Sequence, residues 1–329
     1  MFGTVCLEKS IERRIRRKIW QNLEVKLPTS QGELVLKNPI MSAAGTFGYA
    51  LEYKDALHLE KLGAIVPNSM ALTDGQPSKA KRFYQSDYGF ISSFGANNLP
   101  YKTFVKEILP QLPWESTPIF MDLKAYDIEE LEEFVSILSE VKELSGLEIN
   151  LNCPYGNFAV PSYWKNPEKL VEMIQRVKAA AGEKILWFKA PTAEYSPDQI
   201  VSLVQENGGD AFVSFNAIGG YAIDIGTRTF RSGSNGGGGY SGPGIKPYAL
   251  MCAHNSYKCA KIPVIGGGGI ICARDVLEYI MAGAHAVQIG SANLMRPDFM
   301  ERLVEELEKI MDQMGILSLD EIRGCAKYY

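Results

Sequence analysis

Leu147-Glu148-Ile149-Asn150-Leu151-Asn152 reads as a strand that stops at Cys153-Pro154-Tyr155-Gly156. Isoleucine and leucine suit a buried strand, whereas asparagine is depleted in strands. Two asparagines followed at once by a thiol therefore need a reason beyond strand propensity. In enzymes built on parallel sheets the chemistry sits at this end of the strand. The stretch predicts an α/β enzyme whose polar side chains turn toward a ligand.

Outward from that strand, similar apolar runs occur at 39–43, 63–67, 118–122, 185–190, 211–216, 263–266 and 285–289, with amphipathic stretches between them. That alternation predicts a parallel sheet with helical crossovers, and eight strands predict a (β/α)8 TIM barrel. Asn166-Pro167 and Ser196-Pro197 read as N-cap residues followed by proline at the first helical position, with Gln199 placed to complete a capping box behind Ser196. Gly208 ends the second of these helices. Phe299, Leu303, Leu307, Ile310 and Met314 recur at helical spacing before Gly315, which predicts a core-packed helix with a left-handed cap. Ahead of the first barrel strand, Leu23–Leu27 and Glu33–Leu36 flank Pro28-Thr29-Ser30-Gln31-Gly32, a hairpin expected to close the barrel's lower end. Segments 72–117 and 218–244 are longer than simple crossovers and are expected to build the substrate side at the C-terminal face. Residues 1–21, charged and amphipathic, are expected to form a helical extension ahead of a single barrel domain spanning 22–329.

Composition narrows the function. The chain has 329 residues, 46% hydrophobic and 22% charged, and its net charge of −4 is spread without long blocks. Nothing in that balance points to nucleic acid or an anionic membrane, so a small-molecule substrate is expected. The six cysteines form no CxxC pair and the three histidines are scattered, so no metal site is readable. With no apolar span or signal-peptide core, the expected location is a reducing cytoplasm.

Two strand-then-glycine units follow near the C-terminus, Pro263-Val264-Ile265-Gly266-Gly267-Gly268-Gly269-Ile270 and Ala286-Val287-Gln288-Ile289-Gly290-Ser291-Ala292. Either alone reads as a tight turn. Together, on the last two of eight strands, they match the phosphate site recurrent in such barrels, where backbone N–H groups approach an anion unobstructed. Lys189 ends the apolar run Ile185-Leu186-Trp187-Phe188, Asn216 closes Phe212-Val213-Ser214-Phe215, and Ser42-Ala43-Ala44-Gly45-Thr46 offers only small residues after the first strand. A phosphate, room for a flat group, a cation, several amides and a thiol describe a flavin mononucleotide (FMN) site better than a sugar-phosphate site.

At this point the sequence resembles the dihydroorotate dehydrogenase family, in its soluble class 1 branch, from about residue 22 to about residue 324. The carrying pieces are Asn38-Pro39-Ile40-Met41-Ser42-Ala43-Ala44-Gly45-Thr46-Phe47-Gly48-Tyr49, Asn150-Leu151-Asn152-Cys153-Pro154, Ala222-Ile223-Asp224, Ser241-Gly242-Pro243-Gly244-Ile245-Lys246-Pro247 and the two glycine loops. The resemblance implies an FMN-dependent oxidoreductase acting on a CH–CH bond next to a carbonyl, dihydroorotate to orotate in pyrimidine biosynthesis. Cys153 would be the general base and Lys189 would sit by the flavin N1 and O2 edge. Ala44, Gly45 and Asn150 would line the flavin, while Gly242, Gly268, Gly269, Gly290 and Ser291 would hold its phosphate. Asn150 and Asn216 would bind the substrate ring. A homodimer and a separate iron–sulfur and FAD electron-transfer subunit are implied as partners.

Four substrate positions depart from the family pattern. Asn68 stands where the family has lysine, Ser92 and Tyr155 stand where it has asparagine, and Ala217 replaces a hydroxyl residue. Leaving a buried carboxylate without those partners costs on the order of several kcal/mol. A neutral dihydropyrimidine or an enone is therefore the alternative substrate class. Two other readings are a flavin-free phosphate-binding isomerase or lyase and a barrel without turnover that serves as a partner subunit.

Overall fold

Apolar runs that alternate with helical stretches bury both faces of a sheet, and they do so here around a closed ring. The structure, a computed structural model, describes residues 23–73, 81–93, 98–152, 162–191, 195–233 and 237–328. The expected helix over 1–21, together with Cys153 and Tyr155, lies outside the described residues.

The strands in chain order are β1 (Val25–Thr29), β2 (Gly32–Leu36), β3 (Ile40–Ser42), β4 (Phe83–Ser86), β5 (Gly89–Ser92), β6 (Phe120–Leu123), β7 (Gly146–Asn150), β8 (Ile185–Lys189) and β9 (Ala211–Val213). They continue as β10 (Ile218–Tyr221), β11 (Ile223–Asp224), β12 (Thr229–Phe230), β13 (Gly237–Ser241), β14 (Val264–Gly267) and β15 (Ala286–Ile289). Seven of them form one parallel sheet in the order β3-β15-β14-β9-β8-β7-β6. The expected second strand at 63–67 is not a continuous ladder. Single parallel bridges, Met41 with Ala64 and Ile65 with Ile119, join it to its two neighbours and close the barrel. There the Ser42 hydroxyl, from the neighbouring strand, accepts from the Val66 amide at 2.8 Å and donates to its carbonyl at 2.9 Å, taking the place of ladder bonds. Pro67 then offers no N–H at all.

Helices Ile128–Ser139, Pro167–Ala180, Pro197–Glu206, Lys246–Cys259, Ala273–Met281 and Phe299–Met314 return the chain along the outside. Asn166 caps the second of these as expected, its side-chain oxygen accepting from the amides of Glu168 and Lys169. Ser196 does not complete a capping box, because its hydroxyl donates to the Asp198 carboxylate instead. Gly208, at φ +104°, lies just past the end of that helix. Helix Phe299–Met314 buries Met300, Leu303, Leu307, Ile310 and Met311 and ends at a left-handed Gly315. Met314, expected in that stripe, faces solvent at 54% exposure, and Met311, one turn before it, makes the core contact instead.

The β1–β2 hairpin seals the lower end. Its Ser30 amide donates to Asp210 Oδ1 at 2.5 Å, while Asp210 Oδ2 accepts from the Leu186 amide at 2.8 Å. At the opposite end, the two long segments meet in one antiparallel sheet of order β10-β13-β5-β4, with Gly239 opposite Ser92. Both segments leave from the C-terminal ends of barrel strands, so this sheet stands over the mouth. Among the described residues no helix is long and apolar enough to cross a membrane.

Candidate active site

Side chains alternate along a strand with period two, so the barrel interior is read in layers. In the lower layer Phe120 and Trp187 stack, ring centroids 3.5 Å apart and planes 13° from parallel. Two residues further along the same strands stand Asp122 and Lys189. Lys189 Nζ lies 2.9 Å from Glu148 Oε1 and 3.0 Å from Gln288 Oε1. The Gln288 amide donates to the second oxygen of Glu148, so β7, β8 and β15 are tied through one buried triangle. Burial alone would lower the lysine's proton affinity, but Glu148 and Asp122 together raise it above the usual value. Lys189 is thus held as a cation away from water. Burial acts oppositely on Asp122, raising its carboxyl to about 7; Lys189 lowers it, while Glu148 raises it further.

Above this layer lie the amides. Asn150 Oδ1 accepts from the Asn152 side chain at 2.8 Å and from the Asn152 backbone amide at 3.2 Å, and Asn216 Nδ2 reaches it at 3.5 Å. Asn216 also donates to the Ala190 carbonyl at 3.2 Å. Across the mouth, Asn68 Oδ1 accepts from the Gly45 amide at 3.1 Å. Gly45 has φ +93°, and a Cβ built on it would meet nothing within 4 Å. Ser92 pairs with Gly239 on β13, and a Cβ on Gly239 would lie 3.1 Å from that of Ala217. Ser92 and Ala217 therefore flank one glycine strand of the overlying sheet.

The glycine loops after β14 and β15 emerge side by side because these strands are neighbours. The Tyr279 hydroxyl lies within hydrogen-bond distance of the carbonyls of Gly267 and Gly268, at 3.0 and 2.7 Å. Asp275 accepts from the amides of Ile271 and Cys272 and pairs with Lys246 at 2.6 Å. These contacts fix the first loop from behind. At Gly269, φ is +71° and a Cβ would sit 2.8 Å from the Lys246 backbone nitrogen, so only glycine fits. Its amide makes no hydrogen bond among the described residues. Gly242 begins the 3-10 turn that leads into Lys246, which brings it to the same corner. A Cβ on Gly290 would meet only that of Ala43, at 3.9 Å. Open space at Gly45, a bared amide at Gly269 and a fixed interior cation fit a flat ring with a phosphate tail.

The family model for dihydroorotate dehydrogenase matches residues 26–311. The chain belongs to the dihydroorotate dehydrogenase family. A dihydroorotate dehydrogenase B (NAD(+)) catalytic subunit from Solidesulfovibrio magneticus is 38% identical over 297 residues, covering 89% of this chain and 95% of that relative. Catalytic subunits of the same description from Maridesulfovibrio salexigens and Thermodesulfovibrio yellowstonii are each 35% identical, covering 89% and 93% of this chain and 96% and 99% of theirs.

Of the residues expected from sequence, Lys189, Asn150 and Asn216 gather at the barrel's upper interior, and Gly45 meets Asn68 at the mouth. Gly242, Gly268 and Gly269 converge at one corner, with Gly290 and Ser291 on the neighbouring loop and Ala44 beside Gly45. Cys153 and Tyr155 lie outside the described residues. Sequence reasoning did not single out Asp122, Glu148 and Gln288. Each is a polar residue within an apolar strand run, on the same parity as a mouth residue or an interior ring, and that was the available signal.

Proposed function

We propose that this chain is an FMN-dependent oxidoreductase that oxidises dihydroorotate to orotate in pyrimidine biosynthesis. The observation that carries the reading is Lys189, a buried ammonium fixed by Glu148 and Gln288 below the two glycine loops. The bound flavin would supply a hydride acceptor. Gly268, Gly269, Gly290 and Ser291 would receive its phosphate, and Gly242 would close that corner. Ala44 and Gly45 would lie along its ring. Lys189 would face the ring edge where negative charge develops on reduction, the task of a preorganised cation in a dry site. Asn150 and Asn216 would orient the substrate ring, and Cys153 would remove the proton from the carbon next to the one that gives hydride.

The relatives' descriptions as NAD(+)-type catalytic subunits support a separate electron-transfer subunit, iron–sulfur and FAD-bearing by the family pattern, beside a homodimer of this chain. A cytoplasmic location follows from the same reading. A neutral dihydropyrimidine or an enone is the second substrate reading. It is favoured by Asn68, whose carboxamide is engaged by Gly45 where the family places lysine, and by Ser92 and Ala217 beside β13.

Purified protein supplied with FMN should be yellow and should be bleached anaerobically by dihydroorotate. With Cys153→Ala the bleaching rate should fall by about 10²- to 10⁴-fold, the usual contribution of a positioned base. Bleaching by dihydrouracil but not by dihydroorotate would select the second reading. A colourless protein that takes up no FMN would refute both.

A further inference from the structure

Asp122 is fully buried on β6, and neither of its carboxylate oxygens has a hydrogen-bond partner of good geometry among the described residues. An orphaned ionised carboxylate in such a place is costly. Groups from every neighbouring element bear on it: Glu148 from the paired strand β7, Lys189 from β8, and Ser69 from the segment that follows the bridged second strand. Gln288, on β15, is already bonded to Glu148. Two acids thus share one cation. Both Glu148 oxygens are taken, one by Lys189 and one by Gln288, whereas neither Asp122 oxygen has a well-formed hydrogen bond among the described residues.

We propose that Asp122 is a positioning residue that takes up a proton when the flavin is reduced, so that the barrel interior does not carry a further unbalanced negative charge. The proposal rests on the flavin reading above. Two electrons and one proton pass as hydride from a substrate carbon to the flavin, which gains a negative charge beside Lys189. A second proton comes from solvent to an Asp122 oxygen and forms an O–H bond. The Lys189–Glu148 and Glu148–Gln288 contacts stay intact.

The test is the midpoint potential of bound FMN, titrated on both sides of neutrality in the wild type and in Asp122→Asn. For a two-electron couple, a tenfold change in equilibrium constant per pH unit corresponds to about 30 mV per pH unit, the signature of one additional proton. Above about pH 7 the wild-type slope should exceed that of Asp122→Asn by this amount, because there the oxidised protein has lost the Asp122 proton. Equal slopes would overturn the proposal and leave the flavin reading intact. Should Asp122→Asn fail to fold, reduced-minus-oxidised infrared spectra of the wild type above neutrality give a second readout. A new carbonyl band from a protonated carboxyl is expected, and its absence would overturn the proposal equally. A wild type that binds no FMN at all would overturn both the proposal and the function beneath it.

Discussion

Glu148 and Lys189 face each other across adjacent strands at 2.9 Å with almost no access to water, and Gln288 closes the triangle from the other side of the barrel. Such a pair is weak support for stability as long as both members are present, because desolvation offsets most of the attraction. Its removal by halves is another matter.

Glu148→Gln leaves the Lys189 ammonium buried with its main counter-charge gone. Stability in chemical denaturation should fall by about 3–5 kcal/mol. Adding Lys189→Met to the same chain should recover most of that loss while leaving FMN binding impaired. If the double variant binds FMN as tightly as the wild type, Lys189 has no part in the cofactor site.

Two titratable groups, Asp122 buried and His285 half-buried, act on stability with opposite signs. Asp122 is raised by burial from 3.8 to about 7, so its contribution is full below its unfolded value and is lost as pH climbs from about 4 to 7. Burial lowers His285 from 6.5 to about 4, with Arg323 adding to the effect. That contribution is present above 6.5 and lost as pH falls toward 4. Between these limits the two slopes cancel. In Asp122→Asn stability should rise with pH across that window, by up to about 1.4 kcal/mol per pH unit, and in His285→Gln it should fall. Denaturation midpoints at three pH values for each variant decide the matter.

Gly269→Ala places a Cβ against the Lys246 backbone at a positive φ. The strain should cost about 1–3 kcal/mol of stability. The larger effect is expected on the cofactor, since the loop must shift and the Gly269 amide with it. Quenching of FMN fluorescence on titration should report weaker binding, whereas an unchanged affinity would move the phosphate elsewhere.

Asn166→Ala removes the acceptor for two helix-start amides and should cost about 1 kcal/mol. FMN affinity should stay as it was. A shift in affinity would mean that this helix start supports the mouth more directly than the geometry suggests.

Much of the fold was legible because its determinants are local. The strand at 147–152 and the two glycine units are written in contiguous residues, and the Asn166 cap needs only its own helix. The second barrel strand was less legible, since the Ser42 hydroxyl that replaces its ladder bonds arrives from 24 residues away. Ser196 failed as a cap for a similar reason: Asp198 competes for the hydroxyl. At the site, Lys189 stood out as a charge ending an apolar run, but its partners did not. Glu148 and Gln288 meet only once the barrel has closed, 140 residues apart in sequence.

The sheet over the mouth joins β5, from one long segment, to β13, from another that follows four barrel strands later. Specificity is therefore inherited as a matched pair. A chimera that grafts one such segment from a relative would leave a bare strand edge, prone to pairing with other molecules. Evolution of a new substrate preference in this protein has to rewrite both halves of its lintel together.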